Sequence, residues 1–445
     1  MSSQRPLNQG NRRDPWWNTY SDRAQNLRES EVRSLFSVVS RPEVVSLAGG
    51  MPNIKDLPLD KLADSVAELV RQHGAQALQY GQGRGWDPIR RDVCEIMAKE
   101  GIDGDYENVV ITTGSQQAVD LITQIFVNPG DVILCEAPSY VGSLGIFGAY
   151  QADIRHVAMD HDGLLPDALE AAIKQARAEG KAVKFLYTIP NFHNPAGVTQ
   201  TMERRRAIIE ICDRLQVLIV EDNPYGLLGF SGDPLPALQS LNPEGVVYLG
   251  SFSKMFAPGY RVGWALAPHA IRDKLVLANE SAVLSPSMMS QMTIHAYMQE
   301  FDWFAQVQTY RGMYQERRDA MLESLEQYLP ICEWTKPSGG FYTWVKLPAG
   351  LDAKDMLPRA VTGLVAYVSG TAFYADGQGR DHLRLSYCFP PPDEIREGVR
   401  RLAEVVNREK ELVDLFGGVE LTPVQGLKVD APDAPRSQYP AQDKD

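Results

Sequence analysis

From about residue 108 the chain alternates between two patterns of apolar spacing. Short, uninterrupted apolar runs recur: "NVVITTG", "DVILCEAP", "AVKFLYTIP", "QVLIVEDN", "GVVYLGSFS" and "RVGWALAP". Between several of them lie segments such as "SQQAVDLITQIFV" and "TMERRRAIIEICDRL", whose apolar residues return every three to four positions. The first pattern predicts strands buried on both faces and the second predicts amphipathic helices. Their alternation predicts an α/β fold built on a mostly parallel sheet flanked by helices.

After about residue 325 the pattern changes. "GGFYTWVKLP", "LVAYVSG" and "HLRLSYCF" predict a second, smaller sheet, followed by one long helix, "PDEIREGVRRLAEVVNREKELVDLF". The organisation expected is an N-terminal arm over 1–25, a helix and loop over 26–60 that join the small domain, a large domain over 61–325, and a small α+β domain over 326–415. The arm is polar with a Pro-Trp-Trp insert, and 416–445 is acidic, rich in Pro, Asp and Ala, and reads as a disordered tail.

Composition narrows the class. The 445 residues are 44% hydrophobic and 23% charged, as in a globular chain whose core needs no disulfide or metal staple. A net charge of −13 argues against a nucleic-acid footprint. The five cysteines, Cys94, Cys135, Cys212, Cys332 and Cys388, are scattered without a CxxC pair, as expected of free thiols in a reducing compartment. With neither a signal-peptide core nor a membrane-length apolar run, the reading is a cytoplasmic protein with no membrane partner.

In an open α/β sheet, ligands bind beyond the carboxyl ends of the strands. Five predicted strands run into polar or aromatic groups there: Gly114-Ser115-Gln116, Ser139-Tyr140, Asn191 with Asn194-Pro195-Ala196-Gly197, Asp222-Asn223-Pro224-Tyr225, and Ser251-Phe252-Ser253-Lys254. Each alone has a plain explanation: a helix cap, a turn, a loop, a solvated charge. All of them at successive strand ends are better explained together.

A helix N-terminus at Ser115-Gln116, the hydroxyls of Ser251 and Ser253 and the fork of Arg261 form a phosphate-binding set. A lysine beside a phosphate site, Lys254, suits pyridoxal 5′-phosphate, which is anchored by its phosphate and forms a Schiff base with the amine. Asp222 is the carboxylate to keep the ring nitrogen protonated. Tyr225 and Asn194 are candidates for the phenolic oxygen, and Tyr140 for stacking on the ring.

With these residues in line, the chain resembles the fold-type I pyridoxal-phosphate-dependent aminotransferases of class I/II. It looks most like the branch with 2-aminoadipate and kynurenine-type enzymes. The resemblance covers roughly residues 26–415 and rests on "TTGSQQAVD", "NFHNPAG", "VEDNPY" and "SFSKMFAPGYRVGW" in family order. It implies a seven-stranded large sheet and a homodimer with shared sites. Lys254 is then the internal-aldimine lysine that moves the proton between substrate Cα and cofactor, on the way to a pyridoxamine phosphate intermediate. Asp222 and Tyr225 act with it, and Ser115, Gln116, Ser251, Ser253 and Arg261 hold the phosphate.

The resemblance also implies that Tyr80, in "LQYGQGRG", reaches the other subunit's site beside phosphate and substrate. Arg384, in "HLRLSY", grips the substrate α-carboxylate by a bidentate pair, with Asn194 nearby. Gly50, in "SLAGGMPN", belongs to a loop near the substrate, and Arg33, in "ESEVRSLF", is a candidate for a side-chain carboxylate. One departure stands out: this branch commonly has glutamine where "NFHNPAG" has His193.

The activity implied is amino-group transfer from an L-amino acid to a 2-oxo acid, with 2-oxoglutarate as the expected acceptor. A lyase, decarboxylase or synthase of the same fold starts from the same chemistry and is the alternative. A transcription regulator is disfavoured, because only about 25 polar residues precede the aminotransferase-like region, too few for a basic winged-helix module. Retention of Lys254, Asp222 and Arg384 together argues against a non-catalytic scaffold.

Overall fold

The structure is a computed structural model that describes residues 14–27 and 41–416. In chain order its strands are β1 (Val45–Ser46), β2 (Val109–Thr112), β3 (Val132–Ala137), β4 (Asp153–Asp160), β5 (Gly163–Leu164), β6 (Val183–Thr188) and β7 (Leu218–Asp222). They continue as β8 (Val246–Ser251), β9 (Gly263–Leu266), β10 (Glu333–Trp334), β11 (Tyr342–Lys346), β12 (Val365–Ala366), β13 (Val368–Ser369) and β14 (His382–Ser386).

The large sheet has the order β2-β9-β8-β7-β6-β3-β4-β5. Pairing is parallel from β8 through β7, β6 and β3 to β4, and β9 runs antiparallel to both of its neighbours. Residues alternate between two cores. Ile133, Cys135, Phe185, Tyr187, Val220 and Leu249 face one layer, which holds the helices Ser115–Phe126, Val141–Ala149 and His269–Val283. Val132, Leu134, Leu186, Ile219 and Val246 face the other, against the helices Pro166–Ala178 and Met202–Arg214. Burial on both faces is why these strands lack polar alternation, and each fully buried Val, Leu or Ile stabilises the fold by about 1.5–3 kcal/mol.

The sheet has eight strands where seven were expected. The addition is β5, two residues that turn back on β4 with Met159 opposite Leu164 and Asp160 opposite Gly163. β4 itself escapes the apolar-run pattern, because most of its residues are only partly buried and it mixes charged with apolar residues.

The second sheet, β10-β11-β14-β13, is antiparallel throughout. Its core gathers Val345, Leu383, Leu385 and Tyr387 with Val399, Leu402 and Val406 of the long helix Pro392–Phe416. β1 pairs in parallel with β12, Val45 opposite Val365, which joins the segment before the large sheet to the smaller unit. Residues 14–27 form a short turn and the helix Asp22–Asn26, where Arg23 sits 4.5 Å from the Tyr150 ring while Trp16 and Trp17 are exposed. Among the described residues no helix is long and apolar enough to cross a membrane. Arg33 and the acidic tail from 417 onward lie outside the described residues.

Candidate active site

The groups gather where β2, β3, β6, β7 and β8 end. Past β2, Gly114 takes φ 84° and starts the helix Ser115–Phe126 without a side-chain cap, so its first-turn N–H groups face outward beyond the strand. A Cβ on Gly114 would stand 2.5 Å from Arg261 Nη2, so the glycine makes room for the guanidinium. Arg261 follows the 3₁₀ turn Pro258–Tyr260 with φ 53°, which swings it back toward the strand ends. It donates to Ser253 Oγ at 3.5 Å and to the Thr113 carbonyl at 3.3 Å, and all its partners are neutral oxygens. Ser251 Oγ and Ser253 Oγ lie 2.9 Å apart. Ser251, Ser253 and Arg261 thus come together beside the helix end at Gly114-Ser115, with Gln116 exposed on the same helical turn.

Lys254 stands in the tight turn after β8, closed by a 2.9 Å bond from Phe256 N–H to the Phe252 carbonyl. Its Nζ donates to the Gly50 carbonyl at 2.9 Å and lies 5.6 Å from the Phe341 ring. Burial pushes the amine down to about 8; nearby Cys388 opposes the shift, while the Arg384 and Arg261 cations reinforce it. Gly50 has no room for a side chain, since a Cβ would meet Tyr342 Oη at 2.1 Å.

Asp222 ends β7 and is buried. Its Oδ2 accepts the Tyr187 hydroxyl at 2.6 Å, whereas Oδ1 is buried without a partner. Burial raises its carboxyl to about 6, against the Tyr187 hydrogen bond and with a contribution from the Glu136 charge. Tyr225 is buried with its ring edge-on to Tyr342 at 6.1 Å, and burial, with Tyr342 close by, holds its hydroxyl well above the usual phenol range. Tyr140 precedes the helix Val141–Ala149, and burial, with Tyr342 and Asp222 close by, lifts its hydroxyl to about 12.

Arg384 comes from β14, opposite Trp344 on β11 and Val368 on β13. Its Nη1 donates to Asn194 Oδ1 at 2.9 Å and its Nη2 to the Ala48 carbonyl at 2.7 Å. The guanidinium lies 4.1 Å from the Tyr342 ring and 5.0 Å from Phe373, with Nε buried and unpaired. Asn194 is thereby one of the contacts between the large sheet's rim and the smaller unit, beside the bond from Ser139 N–H to the Phe373 carbonyl. Tyr80 is not in this group: it is 76% exposed and lines a surface cleft with Gly81, Glu280 and Leu284.

Tyr187, Tyr342 and Glu136 belong to the site's surroundings but escaped the sequence reading, because each lies inside an apolar strand run. For Glu136 the available signal is a charged residue near the carboxyl end of an apolar strand, whereas Tyr342 opens β11 and the two tyrosines carry no such mark. Glu136 accepts from Thr188 Oγ1, Ile189 N–H and Gln200 Nε2 at 2.6–3.0 Å. His193 occupies the remaining side of that carboxylate, with Nε2 3.0 Å from Glu136 Oε2, while its Nδ1 accepts from Ala196 N–H. The departure at His193 is therefore a buried structural partner of Glu136, with an imidazole in place of an amide.

The arrangement can be tested against a cofactor. The unpaired, buried Asp222 Oδ1 needs a donor or cation, Lys254 offers an amine of lowered basicity, and the helix-end corner needs an anion. Pyridoxal phosphate meets all three with its ring nitrogen, its aldehyde and its phosphate, so the residues fit it. Fold and site together define a pyridoxal-phosphate-dependent transaminase of fold type I.

Comparison with known proteins agrees. Residues 43–402 match the family described as "Aminotransferase class I and II". The chain is similar to aromatic-amino-acid aminotransferase 1 of Thermococcus litoralis, 41% identical over 394 residues, covering 88% of this chain and 94% of that one. Among solved structures it is similar to a multiple substrate aminotransferase from Thermococcus profundus, with TM-score 0.84, 39% identity, and 89% and 99% of the two chains covered. It is also similar to the alpha-aminoadipate aminotransferase LysN from Thermus thermophilus, complexed with N-(5′-phosphopyridoxyl)-L-leucine, with TM-score 0.83, 35% identity, and 89% and 100% covered. The chain belongs to the class I and II aminotransferases.

Proposed function

We propose that the chain moves the amino group of an L-amino acid to a 2-oxo acid, with Lys254, Asp222 and Arg384 as its principal working residues. The observation that carries this is the convergence of a buried, unpaired carboxylate oxygen, a lysine of lowered basicity and a two-ring-stacked arginine on one rim. When bound, pyridoxal phosphate supplies an aldehyde that condenses with amines and a protonated ring that takes up the electron pair released at substrate Cα.

The chain's own residues do the rest. Ser115, Gln116, Ser251, Ser253 and Arg261 hold the phosphate. Lys254 would hold the cofactor through its aldehyde and would move the proton at substrate Cα. Asp222 keeps the ring nitrogen charged, and Tyr187 keeps Asp222 oriented. Tyr225 and Asn194 would hold the phenolic oxygen, and Tyr140 would stack on the ring. Arg384 exchanges the Ala48 carbonyl for the substrate carboxylate, fixing the orientation of the Cα–H bond.

The three relatives named act, by their names, on aromatic, multiple and aminoadipate substrates. We accordingly expect aromatic and acidic donors with 2-oxoglutarate as acceptor, and Arg33 and Gly50 on the substrate side. The exposed Tyr80 suits a homodimer in which it reaches the partner's site near phosphate and substrate. The large unit (61–325) and the small one (326–415, with 26–60) form each site together. Five unpaired cysteines suit the reducing cytoplasm.

The test is a half-reaction. Holoenzyme given a donor such as tyrosine or 2-aminoadipate without acceptor is expected to release one equivalent of 2-oxo acid and keep its cofactor as pyridoxamine phosphate. Release of carbon dioxide or ammonia instead would point to a decarboxylase or lyase. Because burial brings Lys254 down to about 8, its neutral fraction grows through that pH rather than near 10.5. Capture of pyridoxal phosphate by apoenzyme is therefore expected to accelerate as pH rises from 7 through about 8 and then level off, as stopped-flow absorbance can read. A rate still climbing steeply beyond pH 10 would mean an unperturbed lysine.

A further inference from the structure

Directly behind the rim lies a relay of buried polar side chains that none of the roles above uses. Tyr248 on β8 donates its hydroxyl to Glu100 Oε2 at 2.7 Å. Asn223, the residue after Asp222, donates Nδ2 to Glu100 Oε1 at 2.6 Å. Asn191, three residues before Asn194, donates Nδ2 to Asn223 Oδ1 at 3.0 Å. Arg205, on the helix Met202–Arg214, closes the line by donating Nη2 to Asn191 Oδ1. Its other nitrogens donate to the carbonyls of Gln200 and Pro236. All five side chains are at most 4% exposed.

The relay runs from mid-β8 past the carboxyl ends of β7 and β6, three adjacent parallel strands. Every donor in it points toward Glu100, whose two oxygens both accept. Flipping Asn223 would set its oxygen against the Glu100 carboxylate and its amide against that of Asn191, and flipping Asn191 would set its amide against the Arg205 guanidinium, so the line has one satisfied orientation. The two loops that it ties together carry Asp222 and Tyr225 on one side and Asn194 on the other.

We infer that Glu100 is a positioning residue for transamination: through Asn223 and Asn191 it fixes the relative placement of the loops that present Asp222, Tyr225 and Asn194 to the cofactor. This rests on the roles proposed above for those three residues. Glutamine at position 100 still serves the relay, accepting from Asn223 with its oxygen and donating to the Tyr248 oxygen with its amide. Leucine serves neither and leaves two buried donors unpaired.

The experiment compares full-length wild type, Glu100→Gln, Glu100→Leu and Asn223→Ala at pH 8, above the value of about 7 to which burial raises the Glu100 carboxyl. Leu402→Ala, which removes volume from the smaller core, supplies a general loss of Tm without touching the relay. The readouts are Tm and the dissociation constant for pyridoxal phosphate. Glu100→Gln is expected to bind within about threefold of wild type, while Glu100→Leu and Asn223→Ala bind about tenfold or more weakly. Leu402→Ala is expected to lose Tm but keep the wild-type constant. Asn223→Ala keeps Glu100 intact and decides the matter if Glu100→Leu does not fold. Wild-type affinity in Asn223→Ala or Glu100→Leu, or equal losses in Gln and Leu, would overturn the assignment alone. A wild type that binds no pyridoxal phosphate would overturn the transaminase roles beneath it.

Discussion

Replacing Lys254 by alanine is expected to lower turnover by roughly 10⁴-fold or more, because one side chain is asked both to hold the cofactor and to move the proton at substrate Cα. The amine reaches the rim from a turn closed by the Phe252–Phe256 hydrogen bond, and there it donates to the Gly50 carbonyl. Sodium borohydride should fix pyridoxal phosphate to the wild-type chain and leave the Lys254→Ala chain unlabelled, as intact-mass measurement reads. Labelling that persists in the variant would assign the linkage to another lysine. Because burial already disfavours the charged amine, the apoprotein's Tm should not fall in the variant. The loss is therefore chemical and separable from folding.

Asp222→Ala should leave the cofactor attached but lower turnover by about 10² to 10³-fold, the scale on which removal of one preorganised electrostatic group acts. The reason is its unpaired Oδ1: the Tyr187 hydroxyl satisfies one oxygen and leaves the other for the ring nitrogen. A carboxyl raised to about 6 by burial is lowered again when a cation is bound beside it, so binding of the protonated ring favours the ionised form. Wild-type affinity for pyridoxal phosphate should accordingly weaken as pH falls through about 6, and Asp222→Ala should lose that dependence. Wild-type turnover in the variant would refute the role of Asp222.

Much of the site was legible before any coordinates. Buried strands announce themselves by uninterrupted apolar residues, and a parallel α/β order puts their carboxyl ends on one rim. Ser115, Asn194, Asp222, Ser251 and Lys254 each follow such a run, so position along the chain implied proximity in space. Arg261 was legible for a local reason, since Pro258-Gly259 predicts the turn that brings it back. Tyr187 and Tyr342 were not legible in this way, because a tyrosine within a strand has the same signature whether its hydroxyl is buried idle or aimed at Asp222 or Tyr225. β4 was missed for a related reason: near a sheet edge its mixed charged and apolar residues carry no strand period strong enough to read.

By itself, then, the sequence determined the elements, their parallel order and which strand ends carry chemistry, because those follow from local spacing and from the handedness of α/β connections. Tertiary structure decided what depends on contacts between distant segments. It brought Arg384 from the smaller sheet to Asn194, 190 residues away in sequence, and Gly50 to Lys254, 204 residues away. It also made His193 a buried partner of Glu136 and drew Glu100 behind Asn223. No local pattern encodes such pairs: each forms because a buried polar group must find its partner within the packed interior.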